Sequence, residues 1–159
     1  MIGGVTNDEQ RRLAIDLYNK TWKLFDGDPD VLIHTAHASA YHWMQVGTTA
    51  NRARSEWLCA RVYSELGRAE PALHHARRCL ELVESDPAAM EDWDLAAAYE
   101  ALARAHAIAG DADESMRYRD LGFEAVAKVS DAADGEHIAA DLRGIQVPSA
   151  NVGRTDRPG

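Results

Sequence analysis

Residues 60–82, ARVYSELGRAEPALHHARRCLEL, decide how this chain folds. Two apolar-periodic runs meet at Gly67, a residue that readily ends a helix because it tolerates a left-handed backbone. The first run carries the aromatic Tyr63, the second the small residues Ala72 and Cys79 and then Leu80, with Ala60 small on the facing run. That is the grammar of two helices folded back on each other, with small residues where backbones approach and an aromatic in the gap between them. A second copy begins near Ala96, with Tyr99, Leu102, Ala103, His106, Gly110, Ser115 and Gly122 in equivalent places. The turn glycines, residues 67 and 110, lie 43 positions apart.

The pattern resembles the tetratricopeptide repeat over about residues 53–129, and the earlier part of the chain by analogy. The family's period is about 34 residues, and an extended linker at residues 87–92 accounts for the longer spacing here. The resemblance implies an all-α fold of stacked antiparallel helical hairpins, an α-solenoid of about three hairpins plus a C-terminal capping helix. It also implies a concave face lined by the first helix of each hairpin. The matching positions are Arg54, Trp57, Arg61 and Glu65 in one repeat and Ala97, Glu100, Arg104 and Ile108 in the next. Arginine beside tryptophan can hold a carboxylate and stack an apolar group, so this face is expected to take a peptide or a partner protein. Arg61 paired with Glu100 across adjacent helices is the plainer reading of the same residues.

Working outward, acidic and capping residues at Asn7-Asp8-Glu9 open a helix expected to reach Phe25, and Pro29 opens a second that runs to about Val46. The two runs of the first hairpin above extend over residues 49–66 and 69–84. Those of the second are expected at 91–109 and from the turn at Gly110 to Val129, with a short last helix at 133–143. Residues 7–143 form one domain on this reading. Residues 144–159 show no apolar period and are expected to be a disordered tail.

Apolar residues make up 46% of the 159 and charged ones 27%, a globular balance, while runs such as Ala96-Ala97-Ala98 favour helix over strand. The formal charge of −9 repels phosphate backbones, which argues against nucleic acid and favours basic peptides, cations or neutral ligands. No stretch has the roughly 18 consecutive apolar residues of a membrane span, and no basic segment with an apolar run follows Met1; a cytoplasmic protein is the expectation. Cys59 and Cys79 each fall inside an amphipathic helix, as buried thiols rather than a disulfide framework. A short array can also form a homodimer through an uncapped end.

A second function class rests on polar residues in apolar arcs. Glu56 falls inside the broad arc of Leu58, Cys59, Val62 and Leu66, where the repeat family carries an aromatic. A buried carboxylate needs a partner, either Arg52 one turn earlier or a histidine of a neighbouring helix. Helix two carries His34, His37 and His42, of which His42 points about 140° away from His37. Helix four carries His75 and Cys79 at a spacing of four. Hairpin geometry brings Glu56 level with residues 39–42, so Glu56 with His37 or His42, flanked by His75, is a candidate site for a divalent transition metal or a small polar ligand. Glu56 would then be ligand or general base. The bland alternative is packing: Cys79 at a small-residue position, His75 at the core border, His106 in an aromatic slot. Trp22, Trp43, Trp57 and Trp93 are spread one per helix, as core and groove fillers are. No phosphate loop, nucleophile elbow or CxxC pair occurs.

Overall fold

The computed structural model describes residues 3–149. Seven α-helices occupy this span, with no strand among the described residues: α1 (Asn7–Trp22), α2 (Pro29–Val46), α3 (Thr49–Glu65), α4 (Ala69–Ser85), α5 (Asp94–Ile108), α6 (Ala112–Val126) and α7 (Ala132–Gly144). A single 3₁₀ turn, Pro87–Ala89, lies between α4 and α5. Among the described residues no helix is long and apolar enough to cross a membrane.

The helix ends follow from local chemistry. Thr6 and Glu9 form a reciprocal capping box at α1, and Thr48 with Asn51 does the same at α3. Asp28 caps α2, whose first residue is Pro29. Gly67 and Gly110, at φ 70° and 79°, stop α3 and α5. In both, the next residue's N–H reaches back to a carbonyl in the last turn, Arg68 to Tyr63 at 2.9 Å and Asp111 to His106 at 3.0 Å. Both ends are therefore Schellman caps, and the two chain reversals are built alike.

Three boundaries differ by three residues from the sequence expectation, each because a distant group intervenes. α1 stops at Trp22, not Phe25: the backbone tightens into three-residue turns there, and Leu24 and Phe25 pack against Leu32, Cys59 and Val62. α5 begins at Asp94, not residue 91, since the Asp94 carboxylate accepts the Glu91 N–H at 2.8 Å and is held by Arg54. α6 ends at Val126, not Val129, and Ser130 just beyond donates through its N–H and hydroxyl to Asp92 at 2.9 and 2.6 Å. The fold also runs past the expected boundary at residue 143, because Ile145 is buried and Val147 packs beside it against Ala96, Ala103 and Leu142. The remainder of the expected tail, from residue 150, lies outside the described residues.

Successive helices pack as α1 on α2, α3 on α4 and α5 on α6; α2 meets α3, α4 meets α5, and α7 covers both α5 and α6. Alanines dominate where they touch: Ala60, Ala72, Ala76, Ala101 and Ala105 surround Leu102, which lets helix axes come close with little side-chain entropy lost. Ser39 donates to the Ala14 carbonyl at 2.7 Å and Ser115 to that of Ala103 at 2.8 Å, stitching α2 to α1 and α6 to α5. At Gly122 a Cβ would stand 2.8 Å from Leu142, so that glycine sets how closely α7 lies on α6.

Candidate functional site

A cavity of about 400 Å³ opens where α1, α3, α5 and α7 face one another. Tyr18 and Trp22 of α1 line it, as do Asp134, His137 and Asp141 of α7. Arg54, Trp57 and Arg61 come from α3, Trp93 and Glu100 from α5 and the residue before it, and Cys79 and Val83 from α4. Trp22 is 42% exposed despite its size, and its ring lies 5.8 Å from that of Trp57. Burial pushes the Tyr18 phenol up to about 12, so it stays neutral here. Trp43 is buried elsewhere and does not line the cavity.

Among these residues runs a chain of ion pairs. Arg54 makes two bonds to Asp94, Nε at 3.0 Å and Nη2 at 2.8 Å, and its guanidinium lies 4.5 Å over the Trp93 ring. The Asp94 bonds raise the Arg54 pKa above its ordinary value. Glu100 is only 2% exposed. One of its oxygens accepts the Trp57 indole N–H at 3.0 Å, the other the Arg104 Nε–H at 2.7 Å and a second Arg104 N–H. Two buried carboxylates are thus fully partnered, which a low-dielectric interior requires. Arg61 donates to Glu65 at 2.9 Å and stands 3.9 Å from Asp141.

Of the groove residues read from the sequence, Arg54, Trp57, Arg61 and Glu100 all line the cavity, and Arg104 holds Glu100 in place. The expected Arg61–Glu100 pair is replaced: Arg104, one turn along α5 from Glu100, reaches it first, and Arg61 turns to Glu65 on its own helix. Sequence reasoning passed over Tyr18, Trp22 and Trp93 as residues of this face. It also read α7 as a cap, although residues 134, 137, 138 and 141 fall at the spacing of one helical face and all line the cavity.

The polar cluster around Glu56 is built differently. His75 Nδ1 and a Glu56 carboxylate oxygen are 2.5 Å apart, and the Tyr63 hydroxyl is hydrogen-bonded to His37 Nε2 at 2.9 Å. Tyr63 and His75 stack at 5.7 Å with ring planes 4° apart, and His37 sits 5.2 Å from His75. Burial is the main reason the His37 pKa falls below its ordinary value, with neighbouring His75 adding to it. Arg52, the nearer candidate partner by sequence, is not the one used. His42 leaves the cluster altogether, its Nδ1 reaching Gln10 Oε1 at 3.4 Å. Cys79 packs with Ala53, Leu82 and Val83 rather than beside His75 as a second ligand. Among the described residues no group of three or more His, Cys, Asp and Glu side chains could hold a metal ion. The four-residue set His37, His42, Glu56 and His75 is therefore not assembled. Both cysteines are free and buried, and burial pushes the Cys59 thiol up to about 12, which makes it a poor nucleophile.

In comparison with known proteins, no family model, curated protein or solved structure gives a significant match to this chain.

Proposed function

We propose that this chain is a non-catalytic binding module of the tetratricopeptide-like kind, a short stack of helical hairpins that holds a peptide or a segment of a partner protein in its groove. The cavity walled by Trp22 and Trp57 carries this reading. Large, partly exposed indoles with few rotatable bonds contribute much contact area at little entropic cost, as binding anchors do. The arrangement of the arginines refines it. Arg54 and Arg104 are committed to Asp94 and Glu100, so they act as struts of the groove and not as a clamp for a partner's carboxylate. The module fits a reducing, cytoplasmic setting, where Cys59 and Cys79 stay thiols.

Selection from a displayed peptide library tests it. The wild-type chain is expected to retain a defined set of peptides, and Trp22→Asp, a change at an exposed position, to release them at least tenfold. Peptides retained equally by the variant, or no enrichment by the wild type, would remove the groove from the account.

A further inference from the structure

Four carboxylates line the cavity, those of Asp94, Glu100, Asp134 and Asp141, against two guanidiniums, Arg54 and Arg61. Their compensation is uneven. Asp94 has Arg54, and Glu100 has Arg104. Asp141 has only Arg61 and His137, each 3.9 Å away, while the close partner of Arg61 is Glu65 at 2.9 Å. Asp134 takes part in none of the ion pairs of the described residues. The surplus negative charge therefore sits on the α7 residues of a cavity that Tyr18, Trp22 and Trp57 also line.

Indole faces attract cations through the ring quadrupole, and a carboxylate at the same site adds hydrogen bonds and charge. The cavity already shows this chemistry once, with Arg54 lying over Trp93 while its N–H groups bond to Asp94. The residues of α1 and α7 repeat the ingredients with weaker compensation: Asp141 is reached only at 3.9 Å, by Arg61 and His137, and Asp134 has no ion pair among the described residues.

We propose, resting on the binding-module reading above, that the cavity takes an arginine side chain of a partner peptide. Its planar face lies on Trp22 or Trp57 and its N–H groups point to Asp141 or Asp134. The overall charge of −9 favours approach of such a basic segment.

Calorimetric titration of the full chain tests this with acetyl-Ala-Arg-Ala-amide and the same peptide carrying citrulline, which keeps the shape and drops the charge. The corresponding glutamate peptide and benzyltrimethylammonium, as a free organic cation, complete the set. The arginine peptide is expected to bind saturably and at least fivefold tighter than the citrulline peptide. Asp134→Asn with Asp141→Asn should erase that ratio, and Trp22→Leu should weaken arginine binding several-fold. Equal or tighter binding of the citrulline or glutamate peptide overturns the proposal, as does a ratio unchanged in the Asp134→Asn/Asp141→Asn variant. Tighter binding of benzyltrimethylammonium than of the arginine peptide overturns the peptide as the source of the cation. Library peptides that lack basic residues yet are released by Trp22→Asp would sink this inference and leave the binding module standing; no binding in either experiment removes both.

Discussion

The α3/α4 and α5/α6 pairs solve one packing problem with the chemistry exchanged. In the first, Tyr63 in the last turn of α3 stacks on His75 of α4; 43 positions on, His106 of α5 stacks on Tyr118 of α6, at 5.5 Å and 15°. Tyr and His have traded places. The third member differs more. Glu56 is hydrogen-bonded to His75, whereas its counterpart Tyr99 lies 6.1 Å from Tyr118 as a ring partner. The slot thus demands a flat ring at two positions and tolerates at the third either an aromatic or a carboxylate, provided the ring beside a carboxylate can donate a hydrogen bond. Glu56 is the price of placing the histidine on α4. It is accounted for by a structural pair, with His75 as the partner where the sequence offered either Arg52 or a histidine of a neighbouring helix.

A second exchange lies on the groove side. The same offset relates Trp57 to Glu100 and Arg61 to Arg104, and here the unlike residues meet: the Trp57 indole donates to Glu100, which Arg104 also holds. Equivalent positions of two repeats become one network only because they face each other across adjacent first helices, and this fixes how α3 sits on α5.

The largest effect should come from breaking that network. Arg104→Ala leaves the Glu100 carboxylate at 2% exposure with the indole N–H as its one remaining partner, and loss of one partner of a buried pair costs about 3–5 kcal/mol. Urea unfolding monitored by circular dichroism should show it, with Arg61→Ala, whose pair with Glu65 is surface-exposed, costing less than about 1 kcal/mol. Comparable losses for the two would mean the network is not what joins the repeats.

The histidines at the two stacks supply a pH test. His37, beside the first stack, and His106, within the second, both have their pKa lowered from 6.5, chiefly by burial, with Asp111 partly opposing the shift at His106. For such groups the unfolded state binds more protons than the folded state between the folded pKa and 6.5. Their contribution is therefore present above pH 6.5 and is lost as pH falls towards the folded values. The urea midpoint is expected to drop from pH 7.5 to 5.5, and His37→Gln with His106→Gln to flatten the dependence. A midpoint that rises on acidification would reverse the assignment.

The smallest expected change is Ser64→Ala. The buried Ser64 hydroxyl has no hydrogen-bond partner, and the equivalent position in the second pair is Ala107. Removing an unsatisfied hydroxyl should be neutral or stabilise by up to about 1 kcal/mol; a loss of more than that would show the two pairs to be less alike than their caps.

These comparisons also show what could be read from the residues. Gly67 and Gly110 announce their turns because a left-handed backbone has few alternatives, and Arg54, Trp57, Arg61 and Glu100 share a face because helical spacing dictates it. The ends of α1, α5 and α6 were not legible, since each is set by a remote partner: the Leu24 and Phe25 packing site, Arg54 and Asp92. Trp22 and Trp93 gave a compositional signal but no direction, because each lies at a helix terminus where the periodicity runs out. The partner of Glu56 was open for a different reason. Helix spacing offers Arg52, and only the angle between α3 and α4 selects His75.

The most direct measurement is a spectrum of the four indole N–H groups, recorded as a library-selected peptide is added. Trp22, Trp57 and Trp93 line the cavity and Trp43 does not. Shifts of the first three with Trp43 unmoved are expected; saturable binding that leaves those three unchanged, or moves Trp43 instead, would contradict a groove between α1 and α7.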